Sequence, residues 1–115
     1  MCIRDRPVPD YVDSCPAWQN VMRGHAAANM VPVVASNRIG TEESGSTKIT
    51  FYGSSFVADV SGEKVVEASR DQQEVLTATF DLDDNREQRA AAGFFRDRRV
   101  ELYRRLLTVD GATEP

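Results

Sequence analysis

The stretch SCPAWQNVMRGHAAANMVPVVASNR, residues 14–38, decides the fold. Its first half repeats mostly apolar side chains at the three- and four-residue spacing of one helical face, and Ser14 stands at the expected N-cap. That face consists of Trp18, Val21, Met22, His25, Ala26 and Asn29. Pro32 ends the helix, and the β-branched run at 31–35 predicts a short buried strand. The stretch therefore predicts a helix of about four turns that leads into a strand.

Strands are predicted to follow this unit. Residues 40–46 are polar and contain glycines, so we interpret them as a surface loop of the hairpin kind. Residues 49–58 predict a strand pair or one bent strand, and 61–63 predict a tight turn into a strand at 64–67. Apolar and polar residues alternate again over 74–80. Together these segments predict an antiparallel meander.

Residues 81–107 are predicted to be mainly helical. The Asp81 carboxylate suits an N-cap, and Gly93 is placed to end the helix that follows. Residues 94–107 repeat apolar side chains in a final amphipathic stretch. The chain therefore predicts one α/β unit whose few helices hardly cover the second face of its sheet.

Composition excludes several classes of protein. The chain has 115 residues, a net charge of -4 and 41% hydrophobic residues, so it is long enough for one domain or a large part of one and is not intrinsically disordered. The acidic balance argues against nucleic acid as a partner, and the longest nearly apolar run, 26–35, is too short to span a membrane. Two cysteines, Cys2 and Cys15, cannot form a disulfide framework, and no secretory signal is evident. We therefore expect a cytoplasmic protein.

Four pieces of the chain together resemble the N-carbamoylputrescine amidases of the nitrilase superfamily of carbon-nitrogen hydrolases. They are WQNVMRGHAAANMVPVVASNRIG at 18–40, ITFYGSSFV at 49–57 with Gly62-Glu63, FDLD at 80–83, and FRDRRVELY at 95–103 with LLTVDG at 106–111. The resemblance covers about residues 7–111. It implies an α/β fold that is the C-terminal part of a four-layer α-β-β-α nitrilase-like sandwich. Residues 1–6 match nothing in the family and look like a sequencing artefact, and 112–115 form a tail.

The same resemblance implies a reaction. It is the hydrolysis of N-carbamoylputrescine to putrescine, carbon dioxide and ammonia, a step of polyamine biosynthesis, with no metal or organic cofactor. The family uses a cysteine thiolate, a glutamate and a lysine, all of which precede the segment matched here. We therefore expect this chain alone to be inactive. The departures at Cys15, Pro16, Ala92 and Val100 weaken the substrate assignment slightly.

Four residues are candidates for the substrate pocket. Asn37 and Arg38 follow the predicted buried strand at its C-terminal end, where α/β folds place ligand contacts. Asp10 and Asp13 lie in the loop that the family folds near the cationic end of the substrate, so a carboxylate there would pair with its amine. The alternatives are a turn-capping asparagine, a salt-bridged arginine and solvated loop acids.

Aromatic and arginine residues suggest a homo-oligomer interface. The resemblance places the first helix and the C-terminal segment near a two-fold axis, and these residue types are common in interfaces. The candidates are Trp18, Met22, Phe94, Phe95, Arg98, Arg99 and Tyr103. The alternative is that the apolar members pack only within one subunit.

Cys15 and His25 invite other interpretations. No base stands near Cys15 in the sequence, so a structural or surface cysteine is favoured over a nucleophile. Cys2, Cys15 and His25 lack the spacing of a zinc site, and His25 is predicted to be a packing histidine. Competing functions are a β-ureidopropionase-like or ω-amidase-like enzyme and a non-catalytic interaction domain. Coding DNA upstream of residue 7 that encodes the glutamate, lysine and cysteine motifs would favour the amidase fragment.

Overall fold

A computed structural model of the chain describes residues 13–103, 106 and 108. In chain order, its elements are α1 (Cys15–Asn29), β1 (Val33–Ala35), β2 (Ile39–Ser44), β3 (Thr47–Tyr52), β4 (Phe56–Ala58), β5 (Lys64–Glu67), α2 (Leu82–Ala92) and a 3₁₀ turn (Val100–Leu102). The predicted α/β class is confirmed.

The predicted first helix and the strand after it are both present. Ser14 occupies the N-cap position of α1, but its side chain makes no capping hydrogen bond. The Asp13 carboxylate instead accepts the backbone N–H of Cys15 at 3.0 Å. At the other end, Met30 adopts a left-handed conformation and donates its N–H to the Ala26 and Ala27 carbonyls. The chain then reaches Pro32 and enters β1.

Helix α1 packs on a three-stranded antiparallel sheet with the order β1-β4-β5. Val34 pairs with Val57, and Val57 with Val66. The core between helix and sheet is small and consists of Ala26, Ala35, Phe56 and Ala58, flanked by Trp18, Met22 and Val33. Its three alanines let the helix approach the sheet closely, and Phe56 is its one large, fully buried side chain among the described residues.

Strands β2 and β3 form a separate two-stranded hairpin, so the prediction of a loop over 40–46 is wrong. The turn has two residues, Gly45 and Ser46, since Ser44 pairs directly with Thr47. All of β2 is exposed, which is why no alternation of apolar and polar residues marked it as a strand. The continuous meander is also wrong, because β3 and β4 belong to different sheets and the bend at 53–55 separates them.

Two further predictions are wrong. Residues 74–80 form no strand, since no described strand pairs with them, and alternation alone does not supply a ladder partner. The described part of 94–107 contains only turns, with apolar side chains such as Leu102 exposed. A short amphipathic helix depends on a surface that covers its apolar face, and the described residues offer none there. Leu107 lies outside the described residues.

Helix α2 begins and ends as predicted. The Asp81 carboxylate accepts the backbone N–H groups of Asp83 at 2.9 Å and Asp84 at 3.1 Å. Gly93 caps the other end in a left-handed conformation. Both helix termini are thus determined by single residues.

The chain exposes much more surface than its mass requires. Its accessible surface is 9005 Å², whereas a compact monomer of this mass exposes about 6,300 Å². Its radius of gyration is 18.3 Å, against about 13 Å for a compact domain of this length. Faces of both sheets and the C-terminal segment are therefore available for packing against further polypeptide. Within 13–103, no helix has the length and apolar character needed to cross a membrane.

Candidate functional site

The bend at 53–55 joins the two sheets and is the point where several predicted site residues meet. Gly53 and Ser54 both have positive φ angles, of 54° and 57°. A left-handed conformation is uncommon for serine and requires support from its surroundings. The Gly53 N–H donates to the Arg38 carbonyl at 2.9 Å, and the Ser54 N–H to the Ser69 carbonyl at 3.1 Å. Backbone groups in the segments that follow β1 and β5 thus hold the bend on two sides.

Asn37 links the end of β1 to this bend. Its Nδ2 donates to the Gly53 carbonyl at 3.0 Å, and its Oδ1 accepts the Arg38 N–H at 2.8 Å. Ser55 Oγ accepts the Asn37 N–H at 2.8 Å and donates to the Asn37 carbonyl at 3.3 Å. These contacts fit the turn-capping interpretation of Asn37, and its contact with substrate stays a prediction.

Arg38 directly precedes strand β2 of the hairpin. Its guanidinium is paired with Glu42 and sits 4.3 Å from the centroid of the Phe51 ring. Half of the side chain is exposed. The structure thus shows the salt-bridged arginine that the sequence allowed, and a role in the pocket stays a prediction.

Asp13 is ion-paired at the start of α1. Its Oδ2 accepts a hydrogen bond from Arg70 Nη2 at 2.8 Å, and this bond, followed by the one from the Cys15 N–H, lowers the pKa of the carboxyl group. A substrate amine would have to compete with Arg70 for this carboxylate. Asp10 lies outside the described residues.

Gln19, which sequence reasoning missed, is the polar centre of the region. It is 7% exposed, and its Nε2 donates to the Ser54 carbonyl at 3.2 Å and to Glu67 Oε1 at 2.6 Å. Its Oε1 accepts from Lys64 Nζ at 3.0 Å, while Lys64 also pairs with Glu67 at 2.6 Å. One carboxamide therefore joins α1, the bend and β5. The only sign of Gln19 in the sequence was its position next to Trp18 on a predicted helix. Sequence reasoning missed it because a polar residue at such a position usually faces solvent.

Acidification tests this network. Hydrogen bonds from Gln19 and Lys64 lower the pKa of Glu67 from its ordinary value of 4.5. Stability from this group is therefore present above pH 4.5 and is lost as the pH falls through the lower folded-state pKa. We expect Glu67→Gln to destabilise the chain at pH 7 by about 1 kcal/mol, and the difference from wild type to be smaller at pH 3, which lies below the ordinary pKa of the group.

Urea unfolding at the two pH values measures this difference. Asp71→Asn, an exposed residue outside the network, is the matched control and should leave stability unchanged. An equal loss for Glu67→Gln at both pH values would contradict the assignment.

The predicted interface residues divide into two groups. Trp18 packs within the chain, with ring centroids 5.5 Å from Phe56 and 5.8 Å from Tyr52, and Met22 packs against the core. Phe94 and Phe95 are 57% and 45% exposed. The first group shows the intrasubunit packing that the sequence allowed, while the second remains open to contact with a partner.

The C-terminal candidates also make contacts within the chain. Arg98 lies 5.3 Å from the centroid of the Phe95 ring and donates from Nε to the Phe95 carbonyl at 3.2 Å. Arg99 is paired with Glu101, and Tyr103 is 40% exposed. A role for these residues in an interface stays a prediction.

Cys15 is a buried free thiol, as the structural interpretation requires. The packing interpretation of His25 is wrong, because its side chain is exposed on α1. The described residues contain no group of three histidine, cysteine or acidic side chains that could hold a metal ion. Cys2 lies outside them.

Comparison with known proteins identifies the family. Residues 8–90 match the carbon-nitrogen hydrolase family, and the chain belongs to it. It is 51% identical over 113 residues, 95% of its length, to an N-carbamoylputrescine amidase of Arabidopsis thaliana, and 54% identical over 84% of its length to a citrullinase of Francisella tularensis. The crystal structure of a carbon-nitrogen hydrolase from Helicobacter pylori G27 matches 95% of the chain with a TM-score of 0.77 and 37% identity.

The chain is much shorter than these proteins. It spans 38% of the plant amidase, 33% of the citrullinase and 38% of the Helicobacter pylori protein. The resemblance to this family, first drawn from four pieces of sequence, is confirmed, and so is the carbon-nitrogen hydrolase fold.

Proposed function

We propose that residues 7–111 are the C-terminal portion of an amidohydrolase that converts N-carbamoylputrescine to putrescine, carbon dioxide and ammonia. The observation that carries this proposal is the identity of 50–51% with plant N-carbamoylputrescine amidases over about 95% of the chain. On the same resemblance, the whole enzyme works in polyamine biosynthesis as a cytoplasmic homo-oligomer without a cofactor or metal. Its partner is a small-molecule substrate rather than nucleic acid or a membrane.

The chemistry of the whole enzyme follows the family resemblance. A cysteine thiolate attacks the ureido carbonyl, a glutamate moves the proton, and a lysine stabilises the oxyanion before water clears the carbamoyl-enzyme. None of these three residues lies in the matched segment. The proposed contribution of this chain is one wall of the pocket, with Asn37 and Arg38 at the bend and Asp10 and Asp13 toward the substrate's ammonium group.

Citrulline hydrolysis is the second candidate, because the chain is 54% identical to the Francisella tularensis citrullinase over 96 residues. N-carbamoylputrescine and citrulline both carry a terminal ureido group on a short aliphatic chain. They differ in the α-carboxylate of citrulline, which needs a cationic partner such as Arg38. Both substrates carry the ammonium group that Asp13 would bind, so the substrates are distinguished by Arg38, whose contact only citrulline would need.

A chimera tests both candidates. Residues 13–103 replace the corresponding segment of the Arabidopsis thaliana amidase, and release of putrescine or ornithine is measured from the two substrates. We expect N-carbamoylputrescine to be preferred. Asp13→Asn should raise the KM for N-carbamoylputrescine several-fold, while Asp71→Asn, at an exposed acid that follows β5, should not. A preference for citrulline would select the second candidate, and turnover of neither would contradict both.

The 115-residue chain alone is expected to have no amidase activity. Catalysis of this kind needs a nucleophile, a base and an oxyanion donor together, and Cys15 is a buried thiol at the first turn of α1. Release of ammonia from N-carbamoylputrescine by the purified chain measures this. Turnover that Cys15→Ala abolishes would overturn the prediction.

Exposed aromatic side chains predict self-association. Phe95 and Tyr103 present apolar surface that the described residues leave uncovered, and large exposed patches of this kind favour association. We expect the double variant Phe95→Ala, Tyr103→Ala to have a smaller sedimentation coefficient than the wild type, because its self-association is weaker and more of it is monomeric. Val75→Ala, at a residue that is 93% exposed, is the control. An unchanged oligomer with intact circular dichroism would show that these two residues do not form the interface.

A further inference from the structure

Two side chains of α1, one helical turn apart, bond to the chain on either side of β4. Gln19 Nε2 donates to the Ser54 carbonyl in the bend at 3.2 Å. Arg23 Nε donates to the Gly62 carbonyl in the β4–β5 turn at 2.6 Å, and its Nη2 pairs with Glu63 at 3.2 Å. Residues four apart lie on the same face of a helix, so the two side chains reach in the same direction. The two bonds therefore secure the chain just before and just after β4.

The Gln19 carboxamide is oriented by charged groups of β5. Its Oε1 accepts from Lys64 Nζ at 3.0 Å, and its Nε2 also donates to Glu67 Oε1 at 2.6 Å. Gln19 is buried, so hydrogen bonds to these groups are stronger than they would be in water. Because the carboxamide oxygen is directed to the lysine, the amide nitrogen faces the Ser54 carbonyl. The charges on β5 therefore set the direction in which Gln19 donates.

The Ser54 carbonyl belongs to the bend at a residue with a positive φ angle of 57°. Such a conformation of a serine persists only where surrounding contacts hold it. The Ser54 N–H donates to the Ser69 carbonyl and its C=O accepts from Gln19, so both peptide groups that flank this residue are held. The second of these peptide groups leads directly into Ser55. The orientation of Ser55 therefore depends on the bond from α1.

Ser55 carries this constraint to Asn37. Ser55 Oγ accepts the Asn37 N–H at 2.8 Å and donates to the Asn37 carbonyl at 3.3 Å. The Asn37 side chain donates to the Gly53 carbonyl at 3.0 Å. Three hydrogen bonds therefore fix the backbone and the side chain of Asn37 to the bend.

We propose that Gln19 is a positioning residue for the pocket wall that Asn37 and Arg38 form. It acts through the bend, because its bond holds Ser54 and Ser55 then holds Asn37. The proposal rests on the proposed function, which assigns Asn37 and Arg38 to the substrate pocket. Misplacement of a pocket group by about 1 Å is costly, so loss of the Gln19 bond is expected to weaken substrate binding.

Amide hydrogen exchange of the full chain tests the positioning without any turnover. Gln19→Met nearly keeps the size of the side chain but removes its hydrogen bonds. We expect the N–H groups of Asn37 and Gly53, the bend amides, to exchange about fivefold faster, because loss of one ordinary hydrogen bond lets the bend open more readily. The N–H groups of Asp59 and Gly62, the turn amides, should exchange at the wild-type rate.

Arg23→Met is the matched control, because it removes the other bond between α1 and the chain beside β4. It should speed exchange of the turn amides and leave the bend amides unchanged. Faster exchange of all four groups in both variants would show only a general loss of stability and would overturn the proposal. Bend amides that exchange at the wild-type rate in Gln19→Met would overturn it as well.

Two further variants test the path from Gln19 to Asn37. Ser55→Ala removes the hydroxyl that bonds Asn37, so it alone should speed exchange of the Asn37 N–H. If Gln19 acts through Ser55, the double variant Gln19→Met, Ser55→Ala should exchange at Asn37 no faster than Ser55→Ala, and additive effects would overturn the proposal. Lys64→Met leaves Gln19 in place and removes the cation that orients its carboxamide, so it too should speed exchange of the bend amides.

The chimera that carries residues 13–103 tests the consequence for the substrate. In an active chimera, Gln19→Met should raise the KM for N-carbamoylputrescine several-fold with little change in kcat, because the wall binds substrate and the nucleophile lies elsewhere. Arg23→Met should leave the KM unchanged. A wild-type KM in Gln19→Met would overturn the proposal. A chimera that turns over neither substrate would contradict the proposed function instead, and amide exchange would then decide whether Gln19 positions the bend.

Discussion

Phe56→Ala is expected to destabilise the chain by about 3–5 kcal/mol, the usual range for truncating a buried phenylalanine. Phe56 is 1% exposed and is the only large side chain among the described residues that is fully buried. The other buried members of the core are alanines, whose side chains cannot reach into the space it leaves. Trp18 would also lose its edge-to-face contact with the Phe56 ring.

The effect is large relative to the stability available. About 6 kcal/mol is the lower end of stability for a chain of this length, and the small core places this chain toward that end. We therefore expect the urea midpoint of the variant, followed by circular dichroism, to fall by more than half. Val75→Ala removes apolar atoms from a fully solvated side chain and should leave the midpoint unchanged. Similar midpoints for Phe56→Ala and wild type would show that the core lies elsewhere.

Gly53→Ala is expected to cost about 3 kcal/mol or more, because strain and steric overlap act together. The φ angle of Gly53 is 54°, and an added Cβ would lie 2.5 Å from the Arg70 carbonyl oxygen and 2.9 Å from Ile39 Cγ2. Backbone on one side and the hairpin on the other leave the methyl group no room. The substitution should therefore also disturb Asn37, whose Nδ2 donates to the Gly53 carbonyl.

Gly45→Ala separates the two contributions. Gly45 has a similar φ angle of 59°, but an added Cβ there would meet nothing within 4 Å. Its cost should therefore be the backbone strain alone, about 1–2 kcal/mol. Urea unfolding of both variants gives the comparison. Equal losses at the two glycines would mean that the overlap between the added Cβ at Gly53 and the Arg70 carbonyl costs no stability.

The candidate site was only partly visible in the sequence. Asn37, Arg38 and Asp13 were chosen from their places at a strand end and in a loop, and the structure shows that Asn37 and Arg38 bond to the bend while Asp13 pairs with Arg70 beside it. Gln19 was missed because its partners lie 35 and 48 residues away. Contacts over such separations leave no local pattern, so only the folded chain reveals them.

The sequence alone determined those features that depend on a few neighbouring residues. The spacing of apolar residues in 15–29, the position of Pro32 and the carboxylate of Asp81 each act through local backbone geometry, and both helices follow from them. Family membership was likewise readable, because it rests on runs of residue identity. None of these features requires knowledge of which distant segments meet.

Only the tertiary structure decided how the strands are paired. Strand β2 of the hairpin is exposed and carries no alternation, although it pairs with β3. The segment at 74–80 alternates but has no described partner. The local pattern therefore missed one strand and predicted another that does not form. Strand formation is a property of two segments, since each ladder hydrogen bond needs a donor on one and an acceptor on the other. The same reason explains why the sequence alone did not reveal the Gln19 network or the exposure of His25.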